Sequence, residues 1–413
     1  MTTRSAIILS LVILLYGCGG SSDATQSGAV TDPAINNDNS NQAANSTPLR
    51  WSLPASLHQY ANRPLPTHFT SNQFPGDRAG QTAASASDNT PANNPITDAG
   101  ATLGRVLFYD PWLSQNRQIA CASCHQQAAG FSDPNRLSRG FDGGETRRHS
   151  MGLSNARFYS SGKFFWDERA ETLEQQVLQP IQDPLEMGMT LPELEIRLAE
   201  DSNYQALFQA AFADEQITSE RIALALAQFI RSLDSFSARY DVGRAQVSNP
   251  ITDFPNFSAE ENQGKRLFFG AGSCSGCHSS EAFIAAMPNN PNLRSNGFNN
   301  GLEALSSDDL GIAESSGNPR DEGKFKVGSL RNIAVTAPYM HDGRLATLAE
   351  VVRFYNQQIQ PHPNLAPILQ DPQGNPRRFN FSDAEQRALV AFMETLTDST
   401  FLSDPRFADP FID

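Results

Sequence analysis

Two Cys-x-x-Cys-His segments, Cys121-Ala-Ser-Cys124-His125 and Cys274-Ser-Gly-Cys277-His278, carry the most chemistry in this chain. Two thiols at this spacing can form thioethers with the vinyl groups of one porphyrin. The adjacent histidine then reaches the iron from the proximal face, which is the attachment signature of a c-type haem. A single zinc site built from both segments would bring six ligands to a metal that takes four, and two separate sites would each be incomplete. Two local disulfides would leave the histidine after each pair unexplained. Two covalent haem c groups are therefore expected, with His125 and His278 as iron ligands, and the chemistry is redox chemistry at iron.

The cysteine count agrees. Of five cysteines, four belong to these segments. The fifth, Cys18, ends an apolar run from Ile7 to Tyr16 that follows one basic residue, Arg4. A short apolar core with small residues after it reads as an export signal and is too short to span a bilayer comfortably. Leu15-Tyr16-Gly17-Cys18 resembles a bacterial lipobox, so residues 1–18 are expected to be a lipoprotein-type signal with Cys18 lipidated. Gly19 at the next position points to the outer membrane. A bacterial periplasmic location fits, because c-type haems are attached outside the cytoplasm.

Residues 19–50 are rich in Ser, Asn, Ala, Gly and Asp, lack an apolar period and read as a flexible tether. Residues 51–95 read as an N-terminal arm, extended in part. The folded body spans roughly 96 to 408, long enough for two domains. These are placed at 96–250 and 251–408, each with one haem segment. The net charge of −14 keeps such a protein soluble or suits a basic partner, and it disfavours nucleic acid.

The elements around the haem segments read as all-α, with two cytochrome c-like domains and long loops. Leu103-Gly104-Arg105-Val106-Leu107-Phe108 precedes the first segment and Gly264-Lys265-Arg266-Leu267-Phe268 the second, so the chain looks duplicated. Ser258-Ala-Glu-Glu261 and Ser382-Asp-Ala-Glu385 are capping-box patterns. Ile222, Leu226, Phe229, Ile230 and Leu233, and likewise Leu389, Phe392, Met393 and Leu396, recur at helical spacing and are expected in the core. No alternating strand segment stands out, and residues 285–325 read as long loops.

Between the haem segments lie Phe164-Phe165-Trp166-Asp167-Glu168-Arg169-Ala170, Leu173-Glu174-Gln175-Gln176 and Pro180-Ile181-Gln182-Asp183-Pro184-Leu185-Glu186-Met187. After the second come Ser329-Leu330-Arg331-Asn332-Ile333 and Ala337-Pro338-Tyr339-Met340-His341-Asp342-Gly343. In this order the segments resemble the bacterial di-haem cytochrome c peroxidase/MauG family, over roughly residues 97–360. The resemblance implies that the N-terminal haem handles hydrogen peroxide and the C-terminal haem stores or relays an electron. It implies that Trp166 lies between them as a relay, with packing as its alternative role. Glu186 matches the distal acid/base, a carboxylate that can move a proton between the two peroxide oxygens. Gln176 and Pro180 match neighbouring distal-pocket positions. Arg169 matches the motif's arginine, which pairs with a propionate or with Asp167.

The resemblance also frames the remaining iron ligands. Relatives often hold a displaceable histidine in the loop before the tryptophan. Residues 126–148 contain none, so an open peroxide haem is expected, with His149 as the other candidate. His149 matches an asparagine that binds calcium in relatives. Thr336 and Pro338 match the backbone oxygens of that site, but imidazole is a poor calcium ligand, which weighs against calcium here. For the second haem the candidates are Met287, Met340, Tyr355 and His362. The register places Tyr355 where ordinary family peroxidases have methionine and MauG-type enzymes have tyrosine. A phenolate favours oxidised iron, whereas methionine favours iron(II).

The expected function is a di-haem c-type peroxidase that reduces hydrogen peroxide, MauG-like at Tyr355 and oxidising a protein partner. One alternative is a conventional cytochrome c peroxidase fed by a small cytochrome or cupredoxin. Another is a non-catalytic electron-transfer cytochrome, which would have two six-coordinate haems and no use for Glu186.

Overall fold

The computed structural model describes residues 50–71, 83–285, 297–306 and 308–412. The Cys18 reading, nearly all of the 19–50 tether and Met287 lie outside these residues.

The first haem segment is held by a helical core. The helix Asp98–Tyr109 opens at Thr97, whose side chain accepts a hydrogen bond from Gly100 N, one of the donors a helix start leaves unpaired. Leu103, Val106, Leu107 and Phe108 are buried along it. It crosses the helix Ser219–Arg231, on which Ile222, Leu226, Phe229 and Ile230 are buried as their period requires. The crossing is close because Gly104 has no side chain. A Cβ there would stand 2.0 Å from the carbonyl oxygen of Ala225.

The second haem segment repeats the arrangement. The helix Ala259–Phe269 starts with the expected Ser258/Glu261 capping box, and Asp383–Glu394 with the Ser382/Glu385 box. Their crossing point is Gly264, where a Cβ would stand 1.8 Å from the carbonyl oxygen of Ala388. Phe268, Phe283, Leu389, Phe392, Met393 and Leu396 fill the core beneath it. The duplication visible in the sequence is thus a duplication of backbone contact, with glycine at the same place in each pair.

Two features depart from the sequence reading. A short antiparallel ladder pairs Gly297–Phe298, inside the stretch read as loop, with Phe325–Lys326 at its end. It is too short to show a period of two. Residues 399–411 also return to the first core, where Phe401 and Phe407 are buried. The Tyr109 hydroxyl donates to Phe407 O at 2.7 Å, and Trp51 forms a bridge with Phe411.

Candidate active site

Each Cys-x-x-Cys-His segment folds as one tight turn. Cys121–Cys124 is a single helical turn and Cys274–Gly276 a 3-10 turn. In both, the histidine N–H donates to the carbonyl of the first cysteine, His125 to Cys121 at 2.9 Å and His278 to Cys274 at 3.0 Å. Cysteines three apart on one turn share a face. The four thiols are free, so no disulfide joins them. Burial pushes those of Cys121, Cys274 and Cys277 up to about 12 and that of Cys124 to about 11, so they are thiols at pH 7. Among the described residues no three His, Cys, Asp or Glu side chains converge as a zinc site would require.

Both imidazoles are oriented the same way. His125 Nδ1 lies 2.8 Å from Phe131 O, and His278 Nδ1 lies 3.0 Å from Phe283 O. A carbonyl only accepts, so Nδ1 carries the hydrogen and Nε2 presents a lone pair. This second hydrogen bond is what fixes the tautomer of a metal-binding histidine. Desolvation lowers both pKa values, that of His278 to about 4, so the rings are neutral at pH 7.

His125 and His278 open into two cavities of about 480 Å³ and about 280 Å³. These are far larger than the voids a packed core leaves. Paired cysteines, a neutral imidazole whose Nε2 carries the lone pair and a roomy cavity fit a covalently held haem at each place.

The first cavity is lined by His125, Gln176, Pro180 and Glu186, as the sequence reading grouped them. Gln176 and Pro180 sit on the helix Leu173–Gln182, and Glu186 follows in the turn after it. Glu186 is half-buried, and burial, reinforced by Asp183, pushes its carboxyl up to about 7. That is close to ideal for a group that must both take and give a proton near neutrality. Arg169 pairs with Asp167 at 3.1 Å and lies 3.4 Å from the Phe165 ring centre.

The second cavity holds His278, Met340 and Tyr355, with Thr336 and Pro338 also in its wall. Tyr355 lies in a π turn, Phe354–Gln358, that continues the helix Leu348–Arg353. Such turns re-aim side chains and are frequent at functional sites. Asn300 Nδ2 makes long contacts to both candidates, 3.4 Å to Tyr355 Oη and 3.5 Å to Met340 Sδ. His362 lies outside the cavity wall, its Nδ1 accepting from Asn364 N at 3.0 Å and its Nε2 3.1 Å from Ser306 Oγ.

Trp166 lines both cavities. Its Nε1–H donates to His149 O at 2.7 Å, and its own carbonyl accepts from Lys326 N at 2.8 Å. Arg148 clamps the adjacent Asp167 at 2.6 Å and Asp309 at 2.7 Å. The His149 ring is buried, with Nε2 3.2 Å from Ser132 Oγ and Nδ1 3.2 Å from Arg136 O. Both ring nitrogens are therefore engaged by protein.

Sequence reasoning missed Asn300, Lys326, Tyr159 and Glu168. Tyr159 lines the first cavity and Lys326 lines both. Lys326 follows Lys324 in an ordinary charged stretch, and only its place between the cavities marks it.

Comparison with known proteins agrees with this geometry. The family model described as di-haem cytochrome c peroxidase matches residues 98–246. The methylamine utilization protein MauG of Methylorubrum extorquens is 33% identical over 74% of this chain and 80% of its own length. The cytochrome c551 peroxidase of Nitrosomonas europaea is 31% identical over 72% of this chain and 79% of its own. Among solved structures, a MauG-like protein associated with microbial copper homeostasis superimposes with a TM-score of 0.66 at 32% identity, covering 78% of this chain and 96% of that one. The chain belongs to the di-haem cytochrome c peroxidase/MauG family and is a haem peroxidase.

Proposed function

We propose that the chain reduces hydrogen peroxide in the His125 cavity and draws the electrons through Trp166 from the His278 cavity, with Tyr355 as the second ligand there. Haem c groups held by Cys121, Cys124 and His125 and by Cys274, Cys277 and His278 would supply the redox-active iron. The protein supplies the rest. Glu186 takes a proton from one peroxide oxygen and returns it to the departing one. Gln176 and Pro180 shape the wall that confines the peroxide. Trp166 offers an oxidisable indole where the two cavities meet, and so divides one long electron-tunnelling step into two short ones.

One observation carries this reading: Trp166 is part of both cavity walls. A tyrosine ligand favours oxidised iron, and on this reading the electron source is a side chain of a partner protein. A second reading has its own support, since Met340 lines the same cavity and shares Asn300 with Tyr355. With Met340 as ligand the protein would be a conventional peroxidase with a small cytochrome or cupredoxin donor. His149, with both ring nitrogens engaged, would leave the peroxide haem open, and its side chain has no oxygen to offer calcium. Export and attachment through Cys18 complete the proposal and rest on the lipobox-like segment alone.

The test is an optical spectrum of the haem-loaded protein before and after ascorbate and peroxide. A tyrosine-ligated protein resists ascorbate and reacts with peroxide directly. Reduction by ascorbate with a methionine-to-iron charge-transfer band would replace this reading by the second one.

A further inference from the structure

Tyr159 and Glu168 form a buried pair beside the peroxide cavity that the proposed function does not use. Tyr159 is 1% exposed and lines that cavity. Its hydroxyl donates to Glu168 Oε1 at 2.5 Å. Glu168 is 3% exposed and adopts a left-handed backbone, φ 54°, which is costly for a residue with a side chain. Its second oxygen, Oε2, is buried with no hydrogen-bond partner. Oε1 also accepts from Ser161 Oγ at 3.4 Å. Burying a carboxyl group in a strained turn with one oxygen unpaired is expensive for what these two hydrogen bonds return. The cost is understandable if the carboxylate has work to do.

The neighbours say what kind of work. The Lys326 Nζ lies 3.9 Å from the centre of the Tyr159 ring and 4.4 Å from that of Phe164. Burial lowers the Lys326 ammonium to about 7, and where it is protonated its charge over the ring face opposes positive charge on the ring. Burial and Glu168 together hold the phenol far above its ordinary pKa, so it is neutral. Such a tyrosine can lose an electron only if its proton leaves at the same time, and it needs an acceptor already hydrogen-bonded to it. Glu168 Oε1 is that acceptor. On its other sides Tyr159 packs in a cluster with Phe69, Ala84, Phe158, Ala282 and Ile284, all harder to oxidise than tyrosine.

We infer that Tyr159 is a redox-active tyrosine that takes one oxidising equivalent from the peroxide-oxidised cofactor, with Glu168 as its proton acceptor. In the step, one electron leaves Tyr159 for the oxidised cofactor. The phenolic O–H bond breaks and its proton forms an O–H bond on Glu168 Oε1. The products are a neutral phenoxyl radical, a neutral carboxylic acid and a cofactor reduced by one equivalent. The phenylalanines and aliphatic residues of that cluster give the hole no easy path away from the cavity, so it stays on Tyr159 until an electron returns from the cavity side. The inference rests on the peroxidase activity of the family and is independent of the Tyr355 ligand.

The experiment is freeze-quench electron paramagnetic resonance of the haem-loaded protein after peroxide, with the optical spectrum recorded in parallel. Wild-type protein grown with ring-deuterated tyrosine should show a narrowed radical signal, which identifies tyrosine without any substitution. The chain has eight tyrosines, so Tyr159→Phe assigns the signal and should abolish it. Glu168→Gln keeps a hydrogen-bond acceptor but cannot take the proton, and should cut the radical yield at least tenfold. Haem content and melting temperature show whether each variant folds. A signal that survives Tyr159→Phe, or an undiminished one in Glu168→Gln, overturns the proposal. So does cofactor oxidation without any deuterium-sensitive radical in the wild type, which leaves the peroxidase reading intact. An optical spectrum unmoved by peroxide removes both, because no oxidant is then supplied.

Discussion

The indole N–H of Trp166 donates to the carbonyl oxygen of His149 at 2.7 Å. This bond fixes the ring in the partition between the two cavities. His149 N in turn donates to His341 O at 2.8 Å, and the His341 ring stacks on Phe325 at 3.7 Å. The partition is therefore a continuous hydrogen-bonded and stacked wall, and the most oxidisable side chain in it is held still. A buried indole N–H usually finds a partner, and here that partner belongs to the wall between the cavities.

Trp166→Phe removes both the anchor and the easily oxidised ring while keeping an aromatic in place. Peroxide should still oxidise the iron centre on His125, but the one on His278 should respond at least tenfold more slowly. Stopped-flow spectroscopy of the two haem bands checks this. Equal rates at both centres would reduce Trp166 to packing.

Glu186 gives a pH signature. Its carboxyl is pushed up to about 7, so it is protonated below that pH and ionised above it. Taking a proton from peroxide needs the ionised form. The rate of reaction with peroxide should rise from acid pH and level off above about 7, and Glu186→Gln should lower the plateau by roughly 10²–10⁴-fold and erase the inflection. The stability effect has the opposite sign. The folded protein binds this proton more tightly than the unfolded chain does, so its contribution is present at low pH and is lost as pH rises through about 7. Above that pH, Glu186→Gln should melt higher than wild type, even as it loses activity.

Gly264 tests the duplicated scaffold. With the Cβ position 1.8 Å from Ala388 O, Gly264→Ala must push two helices apart beneath the second cavity. The cost is about 1–3 kcal/mol or more. A thermal melt should show the loss, and haem content should fall at Cys274 and Cys277 before it falls at Cys121 and Cys124. An unchanged melting temperature would mean that the crossing relaxes freely.

Much of this was legible in the sequence for identifiable reasons. The helical stripes ending at Leu233 and Leu396 are long enough for their period to stand out, and Ser258 and Ser382 announce their helices through local capping chemistry. The grouping of His125, Gln176, Pro180 and Glu186 came from motif order, and the structure places all four around one cavity. What escaped depends on partners remote in the chain or on backbone shape. Asn300 matters because of Met340 and Tyr355, 40 and 55 residues away. Phe401 and Phe407 look like the tail of the second half, yet they pack in the first core. Glu168 looks like any surface carboxylate until its left-handed φ turns it inward against Tyr159.

Tyr355 separates the two peroxidase readings. Burial pushes its phenol up to about 12, while the hydrogen bond from Asn300 works weakly in the other direction. Such a phenol becomes a phenolate only where a cation takes the proton's place, and the iron of a haem held by His278 would be that cation. The phenolate would then lower the reduction potential and leave the centre oxidised in ascorbate. Tyr355→Met replaces charge donation with a thioether and should raise the potential by hundreds of millivolts, within the ~0.8 V that axial ligands span. Ascorbate should then reduce that centre and leave the one on His125 unaffected. Tyr355→Phe, which offers no ligand, gives the control: its potential should also rise, but without a methionine charge-transfer band. A wild-type centre that ascorbate already reduces, and whose band disappears in Met340→Leu while Tyr355→Phe leaves it unchanged, would assign the ligand to Met340. The electron would then come from a small donor protein.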